Sequence, residues 1–266
     1  MRIAIIGAGN MGGAIARGLA KGTVVQARDI TVANPSQAKL DALKADFPDL
    51  HVTNDNREAA EGAELVILAV KPELVKSVLR ELDLRGGRQI LASLAAGLPF
   101  EMLAHYVTDR EMTMFRIMPN IAISEMASMT LVASRNANAR QEQLMLDLFN
   151  QMGLAMLVPE EDFDACTSMA SCGIAYVLRF LQAMMQAGLE MGIPGDKGLQ
   201  MVAQVAKGAA ELLLNHRQHP ALEIYKVCTP GGITIKGINE LEHRGFTSAV
   251  IEAVKASNVP LRVEEE

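Results

Sequence analysis

A glycine-rich segment near the start of the chain has the residue types and spacing that bind phosphate. Residues 7–12 read Gly-Ala-Gly-Asn-Met-Gly, follow the apolar run 3–6 and open a helical pattern. In this GxGxxG context Gly7 permits a tight turn, Gly9 lets the backbone approach a pyrophosphate, and Gly12 packs helix against strand. Free N–H groups at the helix start would bind the phosphates. The predicted cofactor-binding residues of this loop are Gly7, Gly9, Asn10, Met11 and Gly12.

A second glycine loop lies near the other end of the chain and also opens a helical pattern. Residues 229–234 read Thr-Pro-Gly-Gly-Ile-Thr, and the helical pattern continues from Ile235. Backbone N–H groups at such a helix start would bind a carboxylate, as the first loop would bind phosphate. The Thr234 hydroxyl can donate or accept a hydrogen bond, and it could equally serve as a helix cap.

The residues at the end of the second predicted strand favour NADP(H) over NAD(H). An NAD site usually has an acidic residue about 20 residues after the glycine loop; residues 32–34 read Val-Ala-Asn there. Asp29 lies at the start of the strand, where its side chain should point away. Neutral Asn34 and Ser36, with cationic Lys39 one helical turn later, suit a 2′-phosphate. Ser36 could also cap a helix, Lys39 could be an ordinary solvated lysine, and use of NAD(H) stays open.

Three more predicted strand ends lie at the same edge, where open α/β sheets bind ligands. They are followed by residues 69–72, 93–97 and 116–120. Lys71 could line the cofactor cleft or be an ordinary exposed lysine. Asn120 offers an amide donor and acceptor near the nicotinamide end, or it could be a turn residue. These ends add the following to the predicted cofactor site: Val70, Lys71, Pro72, Ala95 and Asn120.

Alternating strand and helix patterns must hold these loops in place. Apolar segments predict strands at 2–6, 29–34, 51–53, 64–70, 89–93, 113–117, 129–134 and 155–158, and helical patterns lie between them. Such alternation predicts βαβ units in a Rossmann-type, mostly parallel sheet. After Pro159 only helical spacing is found. The predicted fold is therefore α/β plus all-α, with a dinucleotide-binding domain at 1–160 and a helical substrate and dimerisation domain at 161–266.

Composition excludes several classes of protein and partner. The 266 residues are 50% hydrophobic and 21% charged, which excludes a disordered chain. A net charge of −6 argues against a nucleic-acid partner. No apolar run approaches the roughly 18 residues of a membrane span, and no basic leader with a cleavage site begins the chain. Three cysteines without CxxC spacing fit a reducing compartment, so we predict a cytoplasmic protein that binds a small molecule and neither nucleic acid nor membrane. No metal site is predicted.

The order of these motifs resembles that of pyrroline-5-carboxylate reductases. The motifs are GAGNMG at 7–12, AVKP at 69–72, AAG at 95–97, MPN at 118–120 and TPGGITI at 229–235. The resemblance spans nearly the whole chain, and its PGGxTI element is the most specific to the family. It implies reduction of the C=N bond of 1-pyrroline-5-carboxylate by NAD(P)H to L-proline, the last step of proline biosynthesis. It also implies a helical domain that interlocks two subunits in a homodimer, with larger rings of dimers common.

The resemblance also assigns roles in the second glycine loop. In the family, the threonine that matches Thr234 hydrogen-bonds the substrate ring nitrogen, which implies that Thr234 is the catalytic residue. A protonated imine carbon is already electrophilic, so the protein mainly has to position the ring, and no His, Asp or Glu pair stands out as an acid–base couple. The predicted substrate-binding residues are Thr229, Gly231, Gly232, Ile233, Thr234 and Asn120.

Departures from the family pattern leave alternatives open. The family usually has GSGPAY, MPNTP and SPGGTT where this chain has SCGIAY at 171–176, MPNIA at 118–122 and TPGGIT at 229–234. The chain could therefore reduce another cyclic imine. A β-hydroxyacid dehydrogenase-like enzyme would carry a lysine on the long helix, where residues 173–191 have Arg179 and no lysine. A non-catalytic NADP-binding regulator would not need the second anion-binding loop.

Overall fold

The computed structural model describes residues 1–82, 84 and 86–258, which fall into two compact units. The first unit is Met1–Ser171 and the second is Cys172–Ser257. Residues 259–266, the end of the second predicted domain, lie outside the described residues.

Eight strands of the first unit form one sheet in the order β3-β2-β1-β4-β5-β6-β7-β8. The strands are β1 Ile3–Ile6, β2 Ile30–Ala33, β3 His51–Thr53, β4 Leu65–Leu68, β5 Ile90–Ser93, β6 Thr113–Met118, β7 Ser128–Arg135 and β8 Gly153–Leu157. Neighbouring strands are parallel except β6 and β7. This confirms the prediction of a mostly parallel Rossmann-type sheet, and each strand overlaps one of the predicted segments.

Helices cover both faces of the sheet, which explains why β1 and β4 are continuously apolar. They are α1 Asn10–Lys21, α2 Gln37–Asp46, α3 Asn56–Ala60, α4 Pro72–Glu81, α5 Phe100–Tyr106, α6 Ala139–Asn150 and α7 Phe163–Ala170. One core lies under α1, α2 and α6, and the other lies under α3, α4, α5 and α7. The two cores hold the strand ends, and hence the loops that follow them, at one edge.

Helix α7 groups with the first unit, which ends at Ser171, and the domain boundary at 160/161 stays a prediction. Phe163 is 1% exposed and packs in the same core as Leu131 of β7. The apolar pattern of α7 is that of any amphipathic helix, so the sequence alone does not tell which core the helix joins.

No described residue of the second unit lies in a strand, and its helices are joined by short loops and turns. Its helices are α8 Gly173–Glu190, α9 Gly195–His216, α10 Pro220–Val227, α11 Ile233–His243 and α12 Phe246–Ala256. Many of its large apolar side chains are exposed, among them Leu189, Met191, Leu199, Val205, Leu214, Leu222, Tyr225 and Val227. A monomeric unit of this size would not leave such side chains in water, so these faces need a partner surface.

Candidate functional site

The first glycine loop has the backbone geometry that its sequence predicts. Gly7 has a φ of +107° and donates its N–H to the carbonyl of Ala33 at 2.8 Å. A Cβ at Gly7 would lie 2.5 Å from the Ala69 carbonyl oxygen, and one at Gly12 would lie 2.0 Å from the Gly7 oxygen. Both positions therefore require glycine for the close packing of β1, α1 and β4.

Gly9 differs from the other two glycines because it faces open space. A Cβ built at Gly9 would meet no atom within 4 Å. Gly9 is the N-cap of α1, which has no side-chain cap and no acidic residue in its first turn. Asn10 is exposed and Met11 is half-buried beside it. The start of α1 thus presents free N–H groups and the positive end of the helix dipole to an anion.

The strand ends that carry the predicted cofactor loops lie in one row of the sheet. Ile6 pairs with Ala33 on one side and with Leu68 on the other. Leu68 pairs with Ser93, and Ser93 pairs with Arg116. The loops after β1, β2, β4 and β5 therefore begin at the same level.

Asn34 connects the second strand to the glycine loop. Its side chain is buried, and its Oδ1 accepts a hydrogen bond from the N–H of Ala8 at 2.9 Å. Its Nδ2 makes a long contact of 3.4 Å with the Ser36 carbonyl oxygen, which leaves donor capacity for a ligand. Asn54, which the sequence analysis missed, donates its Nδ2 to the Asn34 carbonyl at 2.9 Å. Only the pairing of β3 with β2 brings Asn54 to this position.

The start of α2 is free to bind an anion. Ser36 is the N-cap residue of α2, but its side chain accepts no helix N–H, and the first turn contains no acidic residue. Lys39 is exposed and forms no ion pair with any described residue. Asp29 lies in a 3₁₀ turn before β2, and the Asp55 carboxylate is used to cap α3. No carboxylate of the described chain therefore takes the ribose-binding position after β2.

A cavity of about 480 Å³ runs along α1 from the glycine loop. Its lining includes the backbone of Gly9 and the basic side chains of Arg17, Lys21 and Lys39, and it includes no acidic residue among the described part of the chain. Arg17 is paired with Asp46 at 2.7 Å. The lining therefore favours an anionic ligand at the end formed by Gly9 and Lys39.

Backbone N–H groups fix the loops after β4 and β5 through hydrogen bonds to a carbonyl oxygen and to a hydroxyl. Ala69 donates its N–H to Ile6, and the half-buried Val70 lies against Gly7. Lys71 is the N-cap residue of α4, followed by Pro72, and its side chain is 80% exposed with its Nζ 3.8 Å from Glu73. Ala95 is buried and donates its N–H to the Ser93 hydroxyl at 3.2 Å.

Asn120 makes more protein contacts than the sequence predicts. Its Oδ1 accepts the N–H of Ala122 at 3.0 Å, and its Nδ2 donates to the Ala170 carbonyl at 3.0 Å. Its backbone N–H donates to the Ser128 hydroxyl at 3.1 Å. The amide therefore holds the turn after β6 and the end of α7, with one N–H and one lone pair left for a ligand.

Arg116 is a buried charge that the sequence analysis did not assign to the site. It is 5% exposed, and its guanidinium carbon lies 4.3 Å from the centre of the Phe163 ring. Its Nη1 is 3.2 Å from Glu160 and its Nη2 is 3.5 Å from Asp164. The Nε is buried without a partner among the described residues. The signal in the sequence that could have identified Arg116 is its position as a lone charge within the apolar strand β6.

The second glycine loop has a comparable geometry within the second unit. Gly231 has a φ of +72°, and a Cβ at Gly232 would lie 2.6 Å from the hydroxyl of Thr229. Gly232 is the N-cap residue of α11, and the first turn of this helix has no side-chain cap and no acidic residue. Ile233 is 86% exposed, and Thr234 is half-buried with a hydroxyl that bonds to none of the described residues. The loop thus presents unpaired N–H groups and a free hydroxyl together.

Glu223 forms a charged cluster shortly before this loop. Its Oε1 contacts Lys226 Nζ at 2.7 Å and His216 Nδ1 at 2.9 Å. The hydrogen bond from Lys226, and then that from His216, hold the pKa of Glu223 below its ordinary value of 4.5. The cluster joins the end of α9 to α10, the helix that leads into the glycine loop.

Residues 1–82, 84 and 86–258 contain neither a candidate metal site nor a candidate membrane-spanning helix. No group of three His, Cys, Asp or Glu side chains there could hold a metal ion. No helix there is both long and apolar enough to cross a membrane.

Comparisons with known proteins agree in both parts of the chain. The family model described as pyrroline-5-carboxylate reductase dimerisation matches residues 160–260. The model described as NADP oxidoreductase coenzyme F420-dependent matches residues 2–97.

Relatives of similar sequence and structure are named as pyrroline carboxylate reductases. The pyrroline-5-carboxylate reductase of Synechocystis sp. is 34% identical over 97% of this chain and 96% of its own length. Pyrroline-5-carboxylate reductase 1 of Dictyostelium discoideum is 32% identical over 96% of this chain, which spans 48% of that protein. The crystal structure of Plasmodium falciparum pyrroline carboxylate reductase with NADP bound has a TM-score of 0.86 at 27% identity, covering 97% of this chain and 95% of that one.

Proposed function

Because the chain belongs to the pyrroline-5-carboxylate reductase family, we propose that it reduces the C=N bond of 1-pyrroline-5-carboxylate with NADPH to give L-proline. The observation that carries this proposal is the pair of glycine loops at helix starts, each without a side-chain cap or an acidic residue in the first helical turn. Each loop can bind one anion, and the reaction needs two: a dinucleotide and a small ring carboxylate.

The first unit has the features that NADP(H) requires. Gly9 leaves open space at the start of α1 where a pyrophosphate fits. The start of α2 suits a 2′-phosphate. The side chain of its N-cap residue Ser36 accepts no helix N–H, Asn34 has a donor to spare, and Lys39 is not paired with any described residue. The neighbouring strand ends would line the cofactor with Val70, Lys71, Pro72 and Ala95. Asn120 would donate its one remaining side-chain N–H to the cofactor.

The second glycine loop would hold the substrate. The free N–H groups of Ile233 and Thr234 at the start of α11 would bind the ring carboxylate. The left-handed φ of Gly231 and the tight approach of Gly232 to Thr229 shape the loop for this purpose.

Thr234 would orient the ring nitrogen through its free hydroxyl. A hydroxyl can accept a hydrogen bond from an iminium N–H and donate one to the amine product. When bound, NADPH supplies the hydride that adds to the ring carbon of the C=N bond, and the nitrogen keeps its proton. The chain's own contribution is to hold the ring in one orientation and to neutralise the carboxylate, which can supply most of the acceleration.

A steady-state assay tests the proposal. NADPH oxidation is followed with 1-pyrroline-5-carboxylate and with a six-membered cyclic imine acid, and NADP⁺ reduction is followed with β-hydroxyacids. Robust turnover with the five-membered ring supports the proposal. Preference for the larger ring would mean that the chain reduces a different cyclic imine, and NADPH binding without any turnover would indicate a regulator.

We also propose that the chain acts as a homodimer in the cytoplasm. The exposed apolar side chains of α8, α9 and α10 need a covering surface, and a second copy of a dimerisation domain offers one. Assembly of such dimers into a larger ring is part of the same proposal, and the mass in solution tests it. Fractionation of cells would test the compartment.

A further inference from the structure

We propose that Arg116 is a positioning residue for the reduction, acting through Glu160 on the loop between β5 and α5. This loop, residues 94–99, contains Ala95, which the proposed function places against the cofactor, so the inference rests on that function. The Arg116 cluster is defined as Arg116, Glu160 and Asp164.

The Arg116 cluster attaches residues 160–164, which follow β8, to strand β6. Arg116 is buried, and both of its carboxylate partners come from the segment after β8. The stack of the guanidinium on Phe163 adds a cation–π contact to the two ion pairs. The side chains of Glu160 and Asp164 are 36% and 52% exposed, so removing either carboxylate leaves the buried guanidinium less compensated. Residues 160–164 are thus tied to the strand at three points.

Glu160 carries this restraint to the start of α5. Pro99 is the N-cap residue of α5 and provides no side-chain cap. The N–H of Phe100 instead donates to Glu160 Oε1 at 2.6 Å, the same oxygen that contacts Arg116. The first N–H of α5 is therefore satisfied by a residue 60 positions along the chain, held in place by a buried cation.

The other end of the loop is fixed in the same row of the sheet. Ser93, which pairs with Arg116 in register, accepts the N–H of Ala95 through its hydroxyl. Loop 94–99 is thus held at its start by Ser93 and at its end by Glu160. A lysine at 116 would keep the charge but could neither bridge two carboxylates nor stack on Phe163 in the same way.

Arg116 carries an energetic cost at its position in β6. Its buried Nε has no partner among the described residues, and leaving a buried donor unsatisfied is unfavourable. An apolar residue would fit strand β6 without that cost. The fork of the guanidinium, which reaches two carboxylates at once, is the feature that an apolar residue would lack.

The test compares Glu160→Ala, Glu160→Gln and Arg116→Lys with the matched control Glu161→Ala, an exposed neighbour that forms no ion pair with any described residue. Measurements are kcat, KM for each substrate, NADPH affinity by direct titration, and amide hydrogen exchange of the peptide covering residues 94–106. A displaced cofactor loop should lower kcat about tenfold in Glu160→Ala and Arg116→Lys. NADPH affinity should hold, because the glycine loop and α2 are unaffected.

Further outcomes decide between a positioning role and a structural role. Glu160→Gln keeps an oxygen for the Phe100 N–H and should recover part of kcat. Amide exchange at the start of α5 should be faster in Glu160→Gln than in the unmodified enzyme, and fastest in Glu160→Ala. Equal kcat and equal exchange in Glu160→Ala and Glu161→Ala would overturn the proposal, as would a lower melting temperature with unchanged kcat. Absence of turnover in the unmodified enzyme would instead refute the proposed function, and the exchange measurement would still decide about the cluster.

Discussion

At the scale of single residues, the two glycines Gly9 and Gly12 have different roles that can be separated by experiment. Gly9→Val should fold normally, since its φ of −70° suits any residue and its Cβ meets nothing. The valine would occupy the place of the pyrophosphate, so NADPH affinity should fall at least tenfold, or about 1.4 kcal/mol. Gly12→Val should instead lower the melting temperature, because a Cβ there overlaps the Gly7 oxygen and overpacking costs about 1–3 kcal/mol or more. Titration and thermal melting of both variants check this, and normal NADPH binding by folded Gly9→Val would contradict it.

Thr234 should affect turnover without affecting cofactor binding. A hydrogen bond to a charged group contributes about 1.5–3 kcal/mol, so Thr234→Ala should lower kcat/KM for the imine roughly ten- to hundredfold. The free hydroxyl has no structural partner among the described residues, so the melting temperature should stay close to that of the unmodified protein. Thr234→Ser keeps the hydroxyl and is the control. Steady-state kinetics at saturating NADPH measure the effect, and full activity in Thr234→Ala would remove this residue from the site.

Residue types predicted the tight turn at Gly7 and the close packing at Gly12, because both depend on contacts within a few residues or in the neighbouring strand. The same reasoning did not find Arg116, Glu160 or Asn54. Their partners come from distant segments: Glu160 contacts the N–H of a residue 60 positions away, and Asn54 reaches Asn34 only because β3 pairs with β2. One hydrogen bond of the Asn120 side chain also depends on α7, because its acceptor is the Ala170 carbonyl and tertiary packing sets the position of this helix.

At the scale of elements, the start of α2 is expected to set the choice between NADPH and NADH. Lys39 forms no ion pair with a described residue, so its removal should not disturb α2 itself. An exposed charge pair contributes up to about 1 kcal/mol, so Lys39→Ala should raise the KM for NADPH up to about fivefold. The KM for NADH, which lacks the 2′-phosphate, should stay the same and is the internal control. Equal effects on both cofactors would contradict this assignment.

The junction of α9 and α10 should make stability depend on pH. The pKa of Glu223 is lowered below 4.5 by Lys226 and His216, so the folded state favours the charged carboxylate. A group with a lowered folded pKa stabilises the protein above its unfolded pKa and loses that contribution as the pH falls through the folded pKa. Glu223→Gln should therefore melt at a lower temperature than the unmodified protein at neutral pH, and the two melting curves should converge as the pH drops below 4.5. A difference that persists unchanged in acid would indicate lost packing rather than lost charge.

Elements were more predictable than the division into units. Strand and helix positions follow from local apolar spacing and from the breaks at glycine and proline. Helix α7 shows the limit, because its pattern is that of any amphipathic helix and its membership of the first unit depends on packing by Phe163. The antiparallel pairing of β7 with β6 likewise reflects the short connection between these strands rather than their composition.

At the scale of the whole molecule, the second unit explains why the chain should exist as a dimer. Apolar side chains that are about half exposed, such as Val205 at 58% and Leu214 at 65%, lie along α9. A small unit buries too little of its own surface to be stable with such faces in water, and an obligate interface resembles a protein core cut in half.

Sedimentation velocity should therefore find dimers or larger rings and no monomer at micromolar concentration. Val205→Glu and Leu214→Glu each replace an exposed apolar side chain of α9 with a charge, on opposite sides of the helix, and burying an unpaired charge in an interface is costly. At least one of the two should shift the protein towards monomer and lower its melting temperature in a concentration-dependent way. Lys207→Glu is the matched control on the same helix, because Lys207 is already exposed and polar with its side chain 67% accessible. A stable monomer of the unmodified chain, with these side chains in water, would contradict the assignment of the second unit as the dimerisation surface.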